Sequence, residues 1–363
     1  MVPPTGEDGD DTDEGAAGDG NGGADAPPAE PSEVAAALDE YGTELATALA
    51  DALAGRSGVV AVGVPLGLLP PVLAARERTE DDTPWRIACR SGVADALGRA
   101  FVLGTAISEA VTEEAIELRT VAGDGGSDDD RDVTAAARPL VFATPDRVDA
   151  VAGPYEDRTL VSETKDATAA AAFRAATAQF EAARPATVGM PARSRLLAAA
   201  RGTLDDRFAD DVAAVLDALP YGAIGRTGEI TDRTLLVALA ARNDHLLWDL
   251  RRWVGDGAEG GRDRSAASDE GLGIAPGQDL TDDRRALVRR GLVEAIKVPA
   301  GDGRPQLRLR AVDDALLRAT PREVFSVLRG RFALPVDEDG RLRDPPGRDE
   351  RRPVWKRTRR DKN

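Results

Sequence analysis

The chain has 363 residues, with 64 Asp plus Glu against 47 Lys plus Arg and a formal net charge of -17. A single histidine, His245, and a single cysteine, Cys89, exclude His-dependent triads, Cys–His pairs, metal sites built from several His or Cys ligands, and internal disulfides. No apolar run reaches membrane-spanning length and no N-terminal signal is read, so a cytoplasmic protein is expected, with no metal or cofactor.

Residues 1–32 are Gly, Asp, Glu, Pro and Ala with almost no apolar bulk, and they predict a disordered acidic tail. The run Gly18–Gly23 looks like a phosphate loop, but no strand precedes it and it reads as low complexity. A helix is expected over Glu33–Ala54, with Leu38, Tyr41, Leu45 and Leu49 on one face. Short apolar runs then predict strands at Val59–Val64, Trp85–Cys89, Ile116–Val121, Pro139–Thr144 and Arg158–Glu163. The last two are expected to be joined by a short turn or helix as a hairpin-like pair. Between the earlier strands lie helical stretches at Pro65–Arg76, Gly92–Val102 and Ser108–Glu114, and Gly123–Asp132 reads as a polar, mobile loop. Strand and helix alternate, which predicts an α/β domain with a mostly parallel sheet. Its strands end at Gly63–Gly67, Cys89–Gly92 and Thr144–Asp146. In a parallel sheet ligands gather beyond such ends, so a small-molecule or subunit-pairing surface is expected there. The turn Val62–Gly67 is either part of it or an ordinary strand-to-helix turn.

Helices follow at Asp166–Ala183, Ala192–Arg201 and Asp205–Leu219, and a glycine-rich connection at Tyr221–Glu229. Thr231–Ala241 and Asp244–Val254 are two more amphipathic helices, with Leu246, Leu247, Leu250, Trp253 and Val254 inward in the second. His245, at the start of that helix among leucines, reads as a packing or capping residue rather than a catalytic one. Gly255–Glu270 is an unstructured insert. Asp313–Leu317 and Pro321–Arg331 are closing helices, and residues 335–363 form a polar tail with a basic end.

The stretch from Gly271 to Arg310 organises the rest. Leu280, Leu287 and Val288 give a helix one apolar face, while Thr281, Arg285 and Arg289 point away from it, and Gly291 stops the helix. Two strands, Glu294–Pro299 and Arg304–Arg310, flank an Ala-Gly-Asp-Gly turn. In the second, Leu307 and Leu309 alternate with Gln306, Arg308 and Arg310, so one face is apolar and the other basic. A helix followed by a basic hairpin is the back half of a winged helix, which sets the helix in the DNA major groove and the hairpin beside the backbone. Base contacts are expected from Gln278, Thr281, Arg285 and Arg289, and backbone contacts from Lys297, Arg304 and Arg308. The alternative is a solvated basic face.

Three segments carry a resemblance: Gly291–Arg310 to the wing, Arg242–Trp253 to the preceding helix, and Gly271–Ala275 to the turn of the haloarchaeal TbsP-type transcriptional regulators. The resemblance implies a winged-helix DNA-binding regulator whose N-terminal domain senses a metabolite or pairs subunits. The expectation is therefore a non-enzymatic transcription regulator of double-stranded DNA, a homodimer with a small-molecule effector. Its expected parts are a disordered tail (1–32), an α/β sensor or dimerisation domain (33–220), a winged-helix domain (221–332) and a flexible tail (333–363). The acidic surplus and the presence of only four lysines fit a salt-rich cytoplasm, or else an acidic protein of a GC-rich genome. The rival from another class is a protein-interaction module that kept the fold and lost DNA binding. Asp279, Asp282 and Asp283, near the start of the recognition helix, favour it, because carboxylates repel phosphate.

Overall fold

A computed structural model of the chain describes residues 33–121, 140–153, 157–223, 230–255, 272–274, 280–299 and 305–334. The acidic tail, the loop at Gly123–Asp132, the connection at 224–229, the insert beyond Gly255, Gln278, Asp279, Arg304 and the C-terminal tail lie outside these residues.

The first expected helix is two: α1 (Glu33–Asp39) and α2 (Gly42–Leu53). Gly42, at φ +68°, makes the break that no side-chain-bearing residue would adopt cheaply. After β1 (Val60–Val64) come α3 (Leu69–Glu77), β2 (Trp85–Cys89), α4 (Val93–Leu97), α5 (Phe101–Thr112) and β3 (Ile116–Thr120). These three helix-linked strands are parallel, β1 to β2 and β2 to β3. Then β4 (Leu140–Ala143), β5 (Val148–Ala152) and β6 (Thr159–Glu163) form an antiparallel meander that joins β1 through β4. The expected β4–β6 hairpin is thus corrected: a strand lies between them, because the four-residue turn after Ala143 is too short for a crossover helix. After α6 (Asp166–Ala182), the two residues of β7 (Arg184–Pro185) close the far edge antiparallel to β3. The sheet order is β6-β5-β4-β1-β2-β3-β7, parallel at its helix-linked centre and antiparallel on both flanks.

Both faces of the sheet are covered, which is why β1 is a continuous apolar run. Ala61, Ile87, Leu118 and Phe142 face a core shared with α2, α3 and α5. Val60, Ala88, Ala143 and Val148 face Ala176 and Phe180 of α6. Helix α5 runs close beneath the turn before it. A side chain on Gly104 would strike the carbonyl oxygen of Leu97 and come within 2.9 Å of Met190.

The second core gathers α7 (Arg193–Thr203), α8 (Asp206–Ala218), α9 (Asp232–Arg242), α10 (Leu247–Val254), α11 (Leu280–Arg289), the hairpin β8 (Val293–Val298) and β9 (Gln306–Ala311), α12 (Asp314–Arg318) and α13 (Val324–Phe332). Phe101 and Val102 of α5 and Met190 also belong to it. The described residues fall in one compact unit, and α5 contributes to both cores. Ser108 donates to the Met190 carbonyl at 2.8 Å, and Glu109 accepts from the backbone and hydroxyl of Ser194 at 2.9 Å each, satisfying donors at the start of α7.

Candidate nucleic-acid interface

The winged helix is built around α9. Its N-terminus carries a capping box: Thr231 accepts from the Thr234 backbone at 3.1 Å and Thr234 accepts in return from the Thr231 backbone. Nearly every side chain of α9 is buried, so it is the axis of this domain. Asp244, at φ +58°, turns the chain out of α9. Next, His245 and Leu246 lie extended against β9. The His245 carbonyl accepts from Leu309 N–H at 2.9 Å, and Leu246 bridges Arg308. His245 therefore precedes α10 beside a single bridge to the wing sheet, rather than opening the helix. Its ring packs edge-on against Phe208 at 5.6 Å, a packing role as expected.

Helix α10 buries Leu247, Leu250, Trp253 and Val254, as its spacing predicts, while Leu246 stays in the bridge. The Trp253 N–H donates to the Leu196 carbonyl at 3.3 Å. At the end of α10, Leu272 and Ile274 donate back to the carbonyls of Trp253 and Val254 at 3.1 and 2.9 Å. Gly273 N–H also reaches the Gly255 carbonyl at 3.2 Å, so residues 272–274 lie against the end of α10.

Leu280 and Leu287 anchor α11 in the core. Val288, expected beside them, is 39% exposed; it lies one residue, about 100° of helical turn, round from Leu287. Gly291, at φ +68°, ends the helix: Leu292 N–H reaches the Leu287 carbonyl and Gly291 N–H reaches that of Val288. That pair of bonds is a Schellman cap.

The structure separates the expected contact residues. Arg285 and Arg289 are exposed on the outer side of α11, with Val288 and Asp282. Arg285 pairs with Asp282 at 3.1 Å. Thr281 is half-buried, and its hydroxyl accepts from Arg251 of α10 at 2.5 Å, so it locks two helices together. Lys297 and Arg308 are exposed on the hairpin but on opposite faces: Lys297 pairs in register with Leu307, and Arg308 with Ile296. Arg308 reaches Asp244 at 3.3 Å. Gln278 and Arg304 fall outside the described residues. The alternation of β9 is as expected, with Leu309 buried and Arg308 and Arg310 out.

Asp283 corrects the account of the acidic helix start. Its side chain is 10% exposed and turned inward. It accepts from the hydroxyls of Thr231 at 3.0 Å and Thr234 at 2.5 Å and from Arg233 at 3.1 Å. This carboxylate caps α9 and does not face an approaching phosphate. Sequence spacing gave no signal for it, because the partners lie about fifty residues away. Missed too was Arg251, while Arg284 begins the basic run Arg284–Arg310. Burial pushes the Arg284 pKa down, and the guanidinium groups of Arg285 and Arg251 push it further. Arginine stays charged nonetheless. The guanidinium groups of Arg251 and Arg284 thus lie near one another at the seam between α10 and α11, with Arg285 on the outer side.

At the other end of the chain, the surface expected beyond the strand ends is not assembled as foreseen. Gly67 is buried, and any side chain on it would strike the Ala37 carbonyl of α1. Thr144–Asp146 lies at the opposite edge of the sheet, because β4 runs antiparallel to β1. Among the described residues no group of three or more His, Cys, Asp or Glu is placed to hold a metal ion, and no helix is long and apolar enough to cross a membrane.

Residues 38–191 match the family model for the N-terminal domain of TbsP-like transcriptional regulators. Residues 192–329 match the model for their C-terminal helix-turn-helix domain. Among the curated proteins and the solved structures, nothing matches the chain.

Proposed function

Since the chain belongs to the TbsP-like transcriptional regulators and is a DNA-binding transcription regulator, we propose that it reads double-stranded DNA with α11 and grips the backbone with the β8–β9 wing. The strip Arg285–Val288–Arg289 carries this reading. It is the exposed side of a helix fixed by Leu280, Leu287 and the Asp283 cap. Arginine suits the O6 and N7 edge of guanine, and an exposed valine suits the thymine methyl. Lys297 and Arg308, one on each face of the hairpin, supply phosphate contacts, with Gln278 and Arg304 as further contact residues.

The interaction-module reading loses support here. Of the three carboxylates behind it, Asp283 is engaged with α9 and Asp282 is half neutralised by Arg285. The α/β part serves as a sensor and as the pairing surface of a homodimer. Support for pairing comes from β6, an edge strand with Val161 54% exposed and no described strand along its outer side. Antiparallel pairing of two copies centred on Val161 sets Asp157 of one opposite Lys165 of the other, a favourable pair of charges. A charge of -17 supports a salt-rich cytoplasm as the working environment, and a haloarchaeal source.

The test is chromatin occupancy of the tagged protein, then a mobility-shift assay in high salt on the recovered fragments. An enriched sequence bound by wild type and weakened by Arg285→Ala and Arg289→Ala is expected. Absence of any enriched sequence would overturn the reading.

A further inference from the structure

An open cavity of about 890 Å³ lies at the edge of the sheet where β1, β2 and β3 begin. It is the end opposite to the one where a parallel sheet usually collects ligands. The turn Gly55–Gly58 forms one wall, Thr144–Asp146 a second, and Phe173 of α6 the roof; Arg56, Arg86 and Glu117 supply charge.

The four charged groups of the lining are not equivalent. Glu117 is held by Arg119 through two hydrogen bonds, at 3.0 and 2.8 Å. Asp146 accepts from the Thr144 hydroxyl at 2.7 Å. Glu117 is thereby paired, whereas Asp146 keeps its charge near Arg56. The two arginines keep donors to spare. Arg86 stands on β2, between Val60 and Glu117 in register, and its guanidinium lies 5.7 and 6.0 Å from the ring centroids of Phe173 and Phe180. Its one ion-pair partner is the exposed Glu181, at 3.9 Å, beyond hydrogen-bond distance. Arg56 spends its Nε on the Ala52 carbonyl and has its two terminal nitrogens left. Burial lowers the Arg56 pKa and the neighbouring Arg147 guanidinium lowers it again, while the carboxylates of Asp149 and Asp146 hold it up in part. Arg147 itself is committed to Asp149 and Ser162. Two arginines thus face two carboxylates across the lining, and the donors they keep to spare lie in a recess partly walled from water, where an ionic hydrogen bond is stronger than on the open surface.

We infer that this cavity binds a small organic anion, whose carboxylate or phosphate group is taken by Arg86 and Arg56 and whose carbon skeleton lies against Phe173. A planar guanidinium backed by aromatic rings is suited to grip two oxygens of one such group. Such a ligand would fasten α6 to the turn before β1. From α6 the chain passes directly through β7 to Met190, which sits in the winged-helix core. The effector role of the anion rests on the regulator reading above; its binding does not.

The experiment is titration calorimetry on the full chain, without DNA and at constant ionic strength, with inorganic phosphate and citrate as probes and erythritol as the neutral control. Saturable binding of phosphate or of citrate is expected, and whichever binds names the ligand chemistry. Arg86→Gln should weaken it about tenfold or more, and so should Arg56→Gln. Circular dichroism checks folding. If Arg86→Gln unfolds, Arg56→Gln decides, because it lies in a turn. Binding of neither anion, or equal binding by wild type and the folded variants, overturns the proposal. Because DNA is absent, that failure leaves the DNA-reading proposal standing, and a failed mobility shift leaves this one standing.

Discussion

Asp283 Oδ1 accepts a hydrogen bond from the Thr231 hydroxyl at 3.0 Å, so the fourth residue of α11 fastens the first turn of the domain's central helix. A carboxylate that sequence position marks as repulsive toward DNA is a structural part of the fold. Asp283→Ala removes the acceptor of three hydrogen bonds, from Thr231, Thr234 and Arg233. Loss of about 2–3 kcal/mol of stability is expected, read as a lower thermal midpoint. A midpoint unchanged within error would mean the cap contributes nothing.

Asp282→Arg should behave differently. Asp282 is exposed, and among the described residues it pairs with Arg285 on its own helix. Stability should change by no more than about 0.5 kcal/mol. DNA affinity should rise, because a repelling charge becomes an attracting one and Arg285 is released toward the groove. A mobility-shift titration measures it; no gain in affinity would show that this side of α11 does not approach phosphate.

Reader and wing should separate on cognate and scrambled duplexes. Arg285→Ala should cost about 1–3 kcal/mol on the cognate sequence alone. Lys297→Ala combined with Arg308→Ala should weaken both duplexes alike. It should also flatten the slope of log affinity against log salt by about 2, close to one unit per lost phosphate contact. Equal, sequence-blind losses in all variants would mean that α11 is not the reader.

Low salt should loosen the fold. The net charge of -17 repels itself when unscreened, and the screening length grows from about 3 Å at 1 M to about 30 Å at 0.01 M. Circular dichroism during dialysis out of molar KCl should show a falling melting temperature. A constant one would end the salt-adapted reading.

Cys89 offers an internal gauge of folding. It is buried in the sheet core, and burial pushes its thiol up to about 12. The thiolate is the reactive form, so at pH 8 a thiol reagent such as Ellman's should leave the native chain untouched and label it fully in denaturant. Rapid labelling of native protein would show that β2 opens.

The parts legible in the sequence were those set by neighbours along the chain. Gly291 ends α11 because a left-handed residue is needed there, and the period of two in Leu307 and Leu309 gives the orientation of β9. The parts that were not legible depend on distant partners. β5 is a strand only because β4 and β6 flank it. His245 and Leu246 are extended because β9 is beside them. Val288 fits an apolar stripe by spacing, yet the core ends at Leu287 and leaves it outside. The same holds for α7 and α8. Their apolar faces look alike whichever core they join, and only the packing assigns them to the one that holds α9.

Helix α5 holds both halves in one grip. Leu103 and Ile107 belong to the sheet core, Phe101 and Val102 to the winged-helix core, and Ser108 and Glu109 clamp the chain that leads into α7. Among the described residues the two cores share this helix rather than a hinge. Two copies paired through their sheets, as proposed, would carry their α11 helices like the points of a locked caliper. A single base pair inserted between half-sites turns one of them by about 34–36° round the duplex, and a locked caliper cannot follow. Operators of this regulator should therefore keep one strict spacing, where a regulator with hinged domains would accept several.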